Sequence, residues 1–365
     1  MTSDLHDATT SEDLHRTIGR VLLLAPSGGL GGGIERYLET LEWAFAHQNV
    51  GAERINLNRP GPREHMRMLA AGRAALRASR ARTRLVVGHR ALMPVASLLA
   101  HEPTVTGISV LAYGRDVWTG RHRPRSKVER ALMKRPDVRV VAISGFTAGT
   151  LAGDCPAAIL PPALSQNWFE TLVAASAAVR RPAQGTQLAT AFRLGDWRDK
   201  GLPQLIEAVM AQRRTDIRLT VCGSGKPPAD LLRLVAGHDW CTLRVGLTDE
   251  DLALQLAAAD VFVLATRTRI GRHANGEGFG LVLLEAQLAG TPVIAPAYGG
   301  SSDAYVDGVT GIGPVDESAE ALALAISEML ADPARLALMG ARAAKWARDS
   351  FAPESYPRLV ARKLM

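Results

Sequence analysis

The sequence predicts two doubly wound α/β domains facing each other across a cleft. Three observations predict it. Short apolar runs alternate with helical patterns along the chain, as a parallel sheet with covering helices requires. The 365 residues are enough for two domains of about 150 each. The alternation breaks once, near the middle, in the stretch VAASAAVRRPAQG, which is Ala-rich, then basic, then carries Pro and Gly.

Residues 1–17 are polar and acidic, without the basic and apolar regions of a signal peptide, and are expected to form a disordered leader. Residues 18–170 form the expected first domain. Its strands are Arg20–Ala25, Glu53–Leu57, Leu85–Gly88, Val105–Ala112 and Val138–Ile143, with a helix over Gly33–His47 after the first. Residues 171–186 are the expected linker, its first part with helical character. Residues 187–350 form the second domain, with strands Gln187–Phe192, Ile217–Cys222, Thr242–Val245, Val261–Leu264 and Pro292–Ala295. A long helical pattern runs from Glu317 to Arg348. Residues 351–365 predict a last helix after Pro353, placed to pack back on the first domain.

Apolar residues make up 47 % and charged residues 22 %, an ordinary globular balance. No run of about twenty apolar residues exists to span a bilayer. The three cysteines lack metal or redox spacing, which fits a reduced, cytoplasmic chain. The net charge is +7, and much of the excess lies in two segments of the first half. One is Arg73, Arg77, Arg80 and Arg84 at helical spacing. The other runs from Arg121 to Arg135 and includes Arg123, Arg125, Lys127, Arg130 and Lys134. They read either as solvated helix faces or as peripheral contact with the inner face of a membrane or a phosphorylated acceptor. Nucleic acid is not expected, because no aromatic residues are interleaved to stack bases.

Residues 276–300, GEGFGLVLLEAQLAGTPVIAPAYGG, carry the most information. Gly278 and Gly280 leave the backbone bare around Phe279, and a helix begins at Leu281. Such a loop presents free N–H groups and a positive dipole end, which suits a diphosphate. Glu277 precedes the helix and Glu285 lies inside it, so both carboxylates can border one pocket and accept hydrogen bonds from sugar hydroxyls.

Glu277-x7-Glu285, with GFG between and AGTPVIAPAYGG after, closely resembles the donor-site motif of glycosyltransferase family 4, retaining enzymes of the GT-B fold. The resemblance covers about residues 20–350. It implies that Glu285 binds ribose hydroxyls and Glu277 hydroxyls of the transferred sugar. It implies also that the loop Gly278, Phe279, Gly280 and Leu281 meets the diphosphate or sugar through its amides. In AFRLGDWRDKGLPQL it implies that Arg193 and Lys200 neutralise the diphosphate. Arg193, Lys200 and Glu277 are therefore the catalytic candidates. The two cations stand seven positions apart, against five more often in the family, with Trp197 in the added loop. No Asp-x-Asp stands as a metal site and no zinc-type spacing of His and carboxylates is present, so no metal and no cofactor beyond the nucleotide sugar is expected.

The segment VCGSGKP and Leu247 resemble the surroundings of the nucleobase, with a structural role equally open. Gly32 and Gly33, in SGGLGGGIERY, resemble a loop that touches the donor phosphate; a plain strand-to-helix turn is the other reading. The G-x-G-x-x-G spacing of dinucleotide binders fails there, since Ile34 takes the third glycine's place. YGRDVW stands where relatives carry His-Gly-x-Asp/Glu. Tyr113 replaces the His and cannot serve as an imidazole near neutral pH. Tyr113, Asp116 and His89 are the acceptor-side candidates, each with a structural role open beside it. Ser144 is expected to cap the following helix.

The function implied is transfer of a sugar from a nucleoside-diphosphate sugar to an acceptor hydroxyl, in natural-product or cell-envelope glycoside synthesis. A sugar-nucleotide epimerase, a glycoside phosphorylase and a catalytically silent nucleotide-sugar binder remain as alternatives. The sequence sets no oligomeric state.

Overall fold

The computed structural model describes residues 19–26, 33–118, 124–179, 185–269 and 275–365. The expected leader and Gly32 lie outside them, as do Arg121, Arg123 and residues 180–184. The chain divides into two compact units: residues 1–163 with 353–365, and residues 164–352.

The first unit holds β1 (Arg20–Ala25), β2 (Gly51–Asn56), β3 (Thr83–Val87), β4 (Val105–Ala112), β5 (Val138–Ala142) and β6 (Ala157–Ile159). They form one parallel sheet in the order β2-β1-β3-β4-β5-β6. Helices α1 (Gly33–His47), α2 (Pro62–Arg77), α3 (Met93–Leu99), α4 (Arg115–Trp118), α5 (Pro124–Met133) and α6 (Gly145–Leu151) connect them. RVLLLA is buried along nearly its whole length, as a central strand covered on both faces must be. Leu22, Leu24, Leu85, Val87, Ile108 and Val110 pack with Met68 and Leu69 of α2 and Met93 of α3 into one core. Ser144 caps α6 by accepting from Thr147 N at 3.1 Å. Strand β6 was not anticipated: three residues are too few to show an alternation.

The second unit opens with α7 (Gln166–Ala178). The stretch expected to link the domains from residue 171 is therefore, as far as Ala178, the continuation of this helix. The change of unit falls earlier, between Ala163 and Leu164. Trp168, Leu172 and Ala175, at helical spacing, are buried and fold the segment into the unit. Strands β7 (Thr186–Arg193), β8 (Ile217–Ser224), β9 (Cys241–Val245), β10 (Val261–Val263), β11 (Val293–Ile294) and β12 (Gly311–Ile312) follow, with β12 unanticipated at two residues. The helices are α8 (Leu202–Ala211), α9 (Ala229–Ala236), α10 (Asp249–Ala258), α11 (Leu281–Leu288), α12 (Ala319–Leu330) and α13 (Pro333–Ser350). The long pattern Glu317–Arg348 is thus two helices. Asp332 accepts from Ala334 N and Arg335 N, and Pro333 takes the first helical position, where its missing N–H costs nothing.

This second sheet is also parallel, in the order β12-β11-β10-β7-β8-β9. Its strand order reverses between β7 and β10. In an open α/β sheet the crevice beyond the carboxyl ends of such a pair is where ligands bind.

The last helix, α14 (Tyr356–Leu364), belongs to the first unit and packs on α1. Its final carbonyls, orphaned at any helix end, are met from the sheet. Ser109 Oγ donates to Leu364 O at 2.6 Å, and Arg139 Nη1 to Arg362 O at 3.3 Å. Tyr356 Oη donates to Pro161 O at 3.1 Å.

Candidate functional site

The carboxyl ends of β7 and β10 carry the cations and carboxylates singled out in the sequence. Strand β7 ends at the exposed Arg193. The chain then makes a short 3₁₀ turn, Leu194–Asp196, pinned by Leu194 and Trp197, both buried in the core of this unit. The guanidinium of Arg198 lies 4.1 Å over the Trp197 ring, a cation–π contact. The longer spacing between Arg193 and Lys200 is therefore a folded, anchored turn. Gly201 has φ +71°, and a Cβ there would stand 1.8 Å from Ala265 O. Only glycine lets the Lys200 loop lie this close to the segment leaving β10. Arg267 N donates to Asp199 O at 2.9 Å, and Arg269 Nη1 lies 3.3 Å from Asp199 Oδ1.

These contacts bring Lys200 against Glu277. Lys200 Nζ donates to Glu277 Oε2 at 2.8 Å, and Thr266 Oγ1 donates to the same oxygen at 3.2 Å. Both charged side chains are partly shielded, at 25 % and 16 % exposure. The Glu277 carbonyl accepts from Gly300 N at 2.9 Å, tying the loop to the chain beyond β11. Asp199 is engaged with Arg269, and Lys200 pairs across the loop with Glu277.

Beyond Gly278, Phe279 is buried with its ring edge-on to Phe351, centroids 5.9 Å apart. Gly280, at φ +86°, takes the cap position of α11 with no side-chain cap, and Leu281 begins the helix. The first N–H groups of a helix lack intrahelical partners, so the loop keeps donors and a positive dipole end beside Glu277. Helix α11 packs against α7 and α13 and is buried from Leu283 to Leu288. Glu285 sits within that buried run at 6 % exposure, and its Oε1 accepts from Trp168 Nε1 at 3.0 Å. A carboxylate in such a place needs donors, and an indole N–H is one.

Leu247 is half-buried just beyond the edge strand β9. In the VCGSGKP segment, a Cβ on Gly223 would meet Leu194 Cδ2 at 2.2 Å, so that glycine serves packing.

In the first unit, Gly33 is the exposed first residue of α1. His89 caps the turn after β3, its Nδ1 accepting from Ala91 N at 3.1 Å. Asp116 Oδ1 accepts from Tyr113 N at 3.0 Å and Gly114 N at 2.8 Å, closing the turn after β4. Burial pushes the Asp116 carboxyl up, against the pull of His89, these two N–H groups and Arg90. Tyr113 packs edge-on to Tyr37, centroids 6.0 Å apart, and its buried hydroxyl has no hydrogen-bond partner among the described residues. Burial holds that phenol well above its usual range, so it stays neutral. The three acceptor-side candidates thus all have structural duties.

Most of the described cations of the basic segments have partners within the first unit. Arg73 and Arg77 share Glu102 at 3.6 and 3.1 Å. Arg84 donates to Ser109 Oγ and Ile108 O, and burial draws its pKa down to about 10. Arg90 and Arg125 meet Glu129 at 3.5 and 2.9 Å. Arg130 pairs with Asp154 at 2.5 Å. Among the described residues no helix is long and apolar enough to cross a membrane. Among them, too, no cluster of three His, Cys, Asp or Glu side chains could hold a metal ion.

Two residues of the site, Thr266 and Trp168, are not marked by the motifs. Thr266 lies at the carboxyl end of β10, where strand order reverses, and the sheet rule could have found it. Trp168 lies 117 residues before Glu285, and no pattern joins them.

The sequence profile of the family described as "Glycosyl transferases group 1" matches residues 188–346. The GDP-mannose-dependent alpha-(1-6)-phosphatidylinositol monomannoside mannosyltransferase of Mycobacterium tuberculosis is 34 % identical over 270 residues, 70 % of this chain and 69 % of that one. The protein of the same description from Mycolicibacterium smegmatis is 37 % identical over 159 residues. That match takes in 42 % of this chain and only 41 % of the relative's length. Among solved structures, sucrose-phosphate synthase from Thermosynechococcus elongatus superposes with a TM-score of 0.77 at 22 % identity, covering 94 % of this chain and 98 % of that one. At that identity the likeness shows a shared fold of two Rossmann-like α/β domains.

Proposed function

The chain belongs to the group 1 glycosyl transferases, and from that premise we propose that it moves a hexose from a nucleoside-diphosphate sugar to an acceptor hydroxyl with retention of configuration. The names of its relatives favour GDP-mannose as donor and an inositol glycolipid of the cell envelope as acceptor. A lipid acceptor would put the protein at the cytoplasmic face of the membrane as a peripheral enzyme.

The observation that carries the reading is the Lys200–Glu277 contact at the strand-order reversal, where β7 also ends in Arg193. Arg193 and Lys200 would offset the charge that develops on the departing diphosphate, Arg as a fork and Lys as a point charge. The amides of Phe279, Gly280 and Leu281 would add dipoles. Glu277 would hold hydroxyls of the sugar and Glu285 those of the ribose. The acceptor proton would pass to the leaving diphosphate as the new glycosidic bond forms on the same face. No carboxylate nucleophile is then needed, and positioning supplies the rate. With two cations at the leaving group, turnover is expected to persist in a chelator.

The test is release of nucleoside diphosphate from GDP-mannose and other nucleotide sugars, with inositol-glycolipid vesicles as acceptor and EDTA present. Transfer to the lipid supports the reading. A protein that binds no nucleotide sugar in a thermal-shift panel overturns it, since a bound ligand raises apparent stability. A catalytically silent nucleotide-sugar binder is the second reading, favoured by the buried Tyr113 hydroxyl in the place of the family's histidine. Slow hydrolysis of the donor without acceptor would exclude it.

A further inference from the structure

Glu285 belongs to a helix buried nearly all round, and a carboxylate there has few ways to be held in one orientation. Trp168 supplies one. Its side chain is 5 % exposed, it occupies the first turn of α7, and its Nε1–H points at Glu285 Oε1 across 3.0 Å. The indole N–H is a donor only, and a buried one needs an acceptor. The carboxylate is acceptor only, and a buried one needs donors. A hydrogen bond to a charged acceptor is about twice as strong as a neutral one. The rigid indole, packed with α7 against α11, therefore anchors one oxygen of the Glu285 carboxylate.

We propose that Trp168 is a positioning residue for ribose recognition: its indole N–H holds one oxygen of Glu285 so that the carboxylate meets the paired ribose hydroxyls of a nucleoside diphosphate. The inference rests on the reading of Glu285 as the ribose acceptor. Trp168 would not touch the nucleotide and would act through the carboxylate alone. Removing the N–H while keeping the ring should weaken the contribution of the ribose hydroxyls and leave that of the diphosphate and base.

The experiment compares the dissociation constant of GDP or UDP, whichever the wild type binds more tightly, with that of its 2′,3′-dideoxy counterpart. Calorimetry is run on wild type and Trp168→Phe. The wild type should prefer the ribose form by about tenfold or more, the worth of a hydrogen bond to a charged group. In Trp168→Phe the preference should fall toward one while the dideoxy nucleotide binds as before. Absence of any ribose preference in the wild type would overturn the ribose reading of Glu285, and the inference with it. A preference kept in Trp168→Phe would overturn the inference alone, as would an equal loss for both nucleotides, the mark of a packing role. Trp168→Met, a flexible filler without a donor, repeats the test should Phe fold poorly, and a preference kept there has the same meaning.

Discussion

Lys200 Nζ lies 2.8 Å from Glu277 Oε2, so the cation assigned to the diphosphate and the carboxylate assigned to the sugar hold each other. A donor that uses both must open this pair and give each charge a new partner. In the proposed reading the two groups stabilise the fold together and would serve the donor separately.

Lys200→Ala is expected to lower kcat/KM for the donor by about 10²–10³, the worth of one preorganised charge at a developing oxyanion. It leaves Glu277 with the Thr266 hydroxyl and should cost about 1 kcal/mol of stability. Glu277→Gln should restore most of that stability in the double variant without restoring turnover. Steady-state kinetics and urea midpoints on the four proteins of the cycle check this. Unchanged kinetics in Lys200→Ala would remove the residue from the site.

Gly201→Ala tests the close approach that puts Lys200 in place. The new Cβ would stand 1.8 Å from Ala265 O at a φ of +71°. The loops must separate, at a cost of at least about 2 kcal/mol. Differential scanning calorimetry should show a clearly lowered Tm, and donor turnover should fall with it. A variant as stable as wild type would contradict the contact.

Glu129 is shared by two guanidinium groups, Arg90 at 3.5 Å and Arg125 at 2.9 Å. Arg125 is well exposed and contributes little, whereas Arg90 is only 7 % exposed, and burial already draws its pKa down. Glu129→Ala takes the carboxylate from a buried cation and should cost about 3–5 kcal/mol in denaturant unfolding. Arg125→Ala should cost less than about 1 kcal/mol. Similar losses in the two variants would mean that the pair with Arg90 is not the buried one.

The sheets and the donor loop were legible because their signals are local. RVLLLA is apolar enough to be central, and GEGFGLVLLE states a loop, a helix start and two carboxylates within ten residues. The two-residue strand β12 carries too little pattern to be read, whereas β11 falls inside the expected Pro292–Ala295. The helical period of Glu317–Arg348 hid the stop at Asp332 and Pro333, because apolar spacing continues across it. Arg73, Arg77, Arg80 and Arg84 have the spacing of one helix face, but α2 ends at Arg77 and Arg84 lies in β3. Spacing shows which residues share a face but not what meets them, and Glu102 and Ser109 come from elsewhere in the chain. The Trp168–Glu285 bond is the same case at longer range.

Cys222 and Cys241 give the fold a pH dependence whose sign follows from their burial. Burial pushes the two thiols up to about 12 and about 11, from an ordinary value of 9.0. In the unfolded chain both ionise above pH 9, while in the folded chain they keep their protons. The unfolded state then binds fewer protons, so stability falls as pH rises. Their contribution is fully present below pH 9 and is lost as pH climbs through the raised values. Each thiol adds a slope that approaches about 1.4 kcal/mol per pH unit in that window. Urea midpoints at pH 8, 9 and 10 should fall progressively, and Cys222→Ala should fall less steeply because one titrating group is gone. The same burial predicts that neither thiol reacts with dithiobis-nitrobenzoate at pH 8 until urea unfolds the chain. Rapid labelling of either in the native protein would show that the strand carrying it opens far more readily than its packing implies.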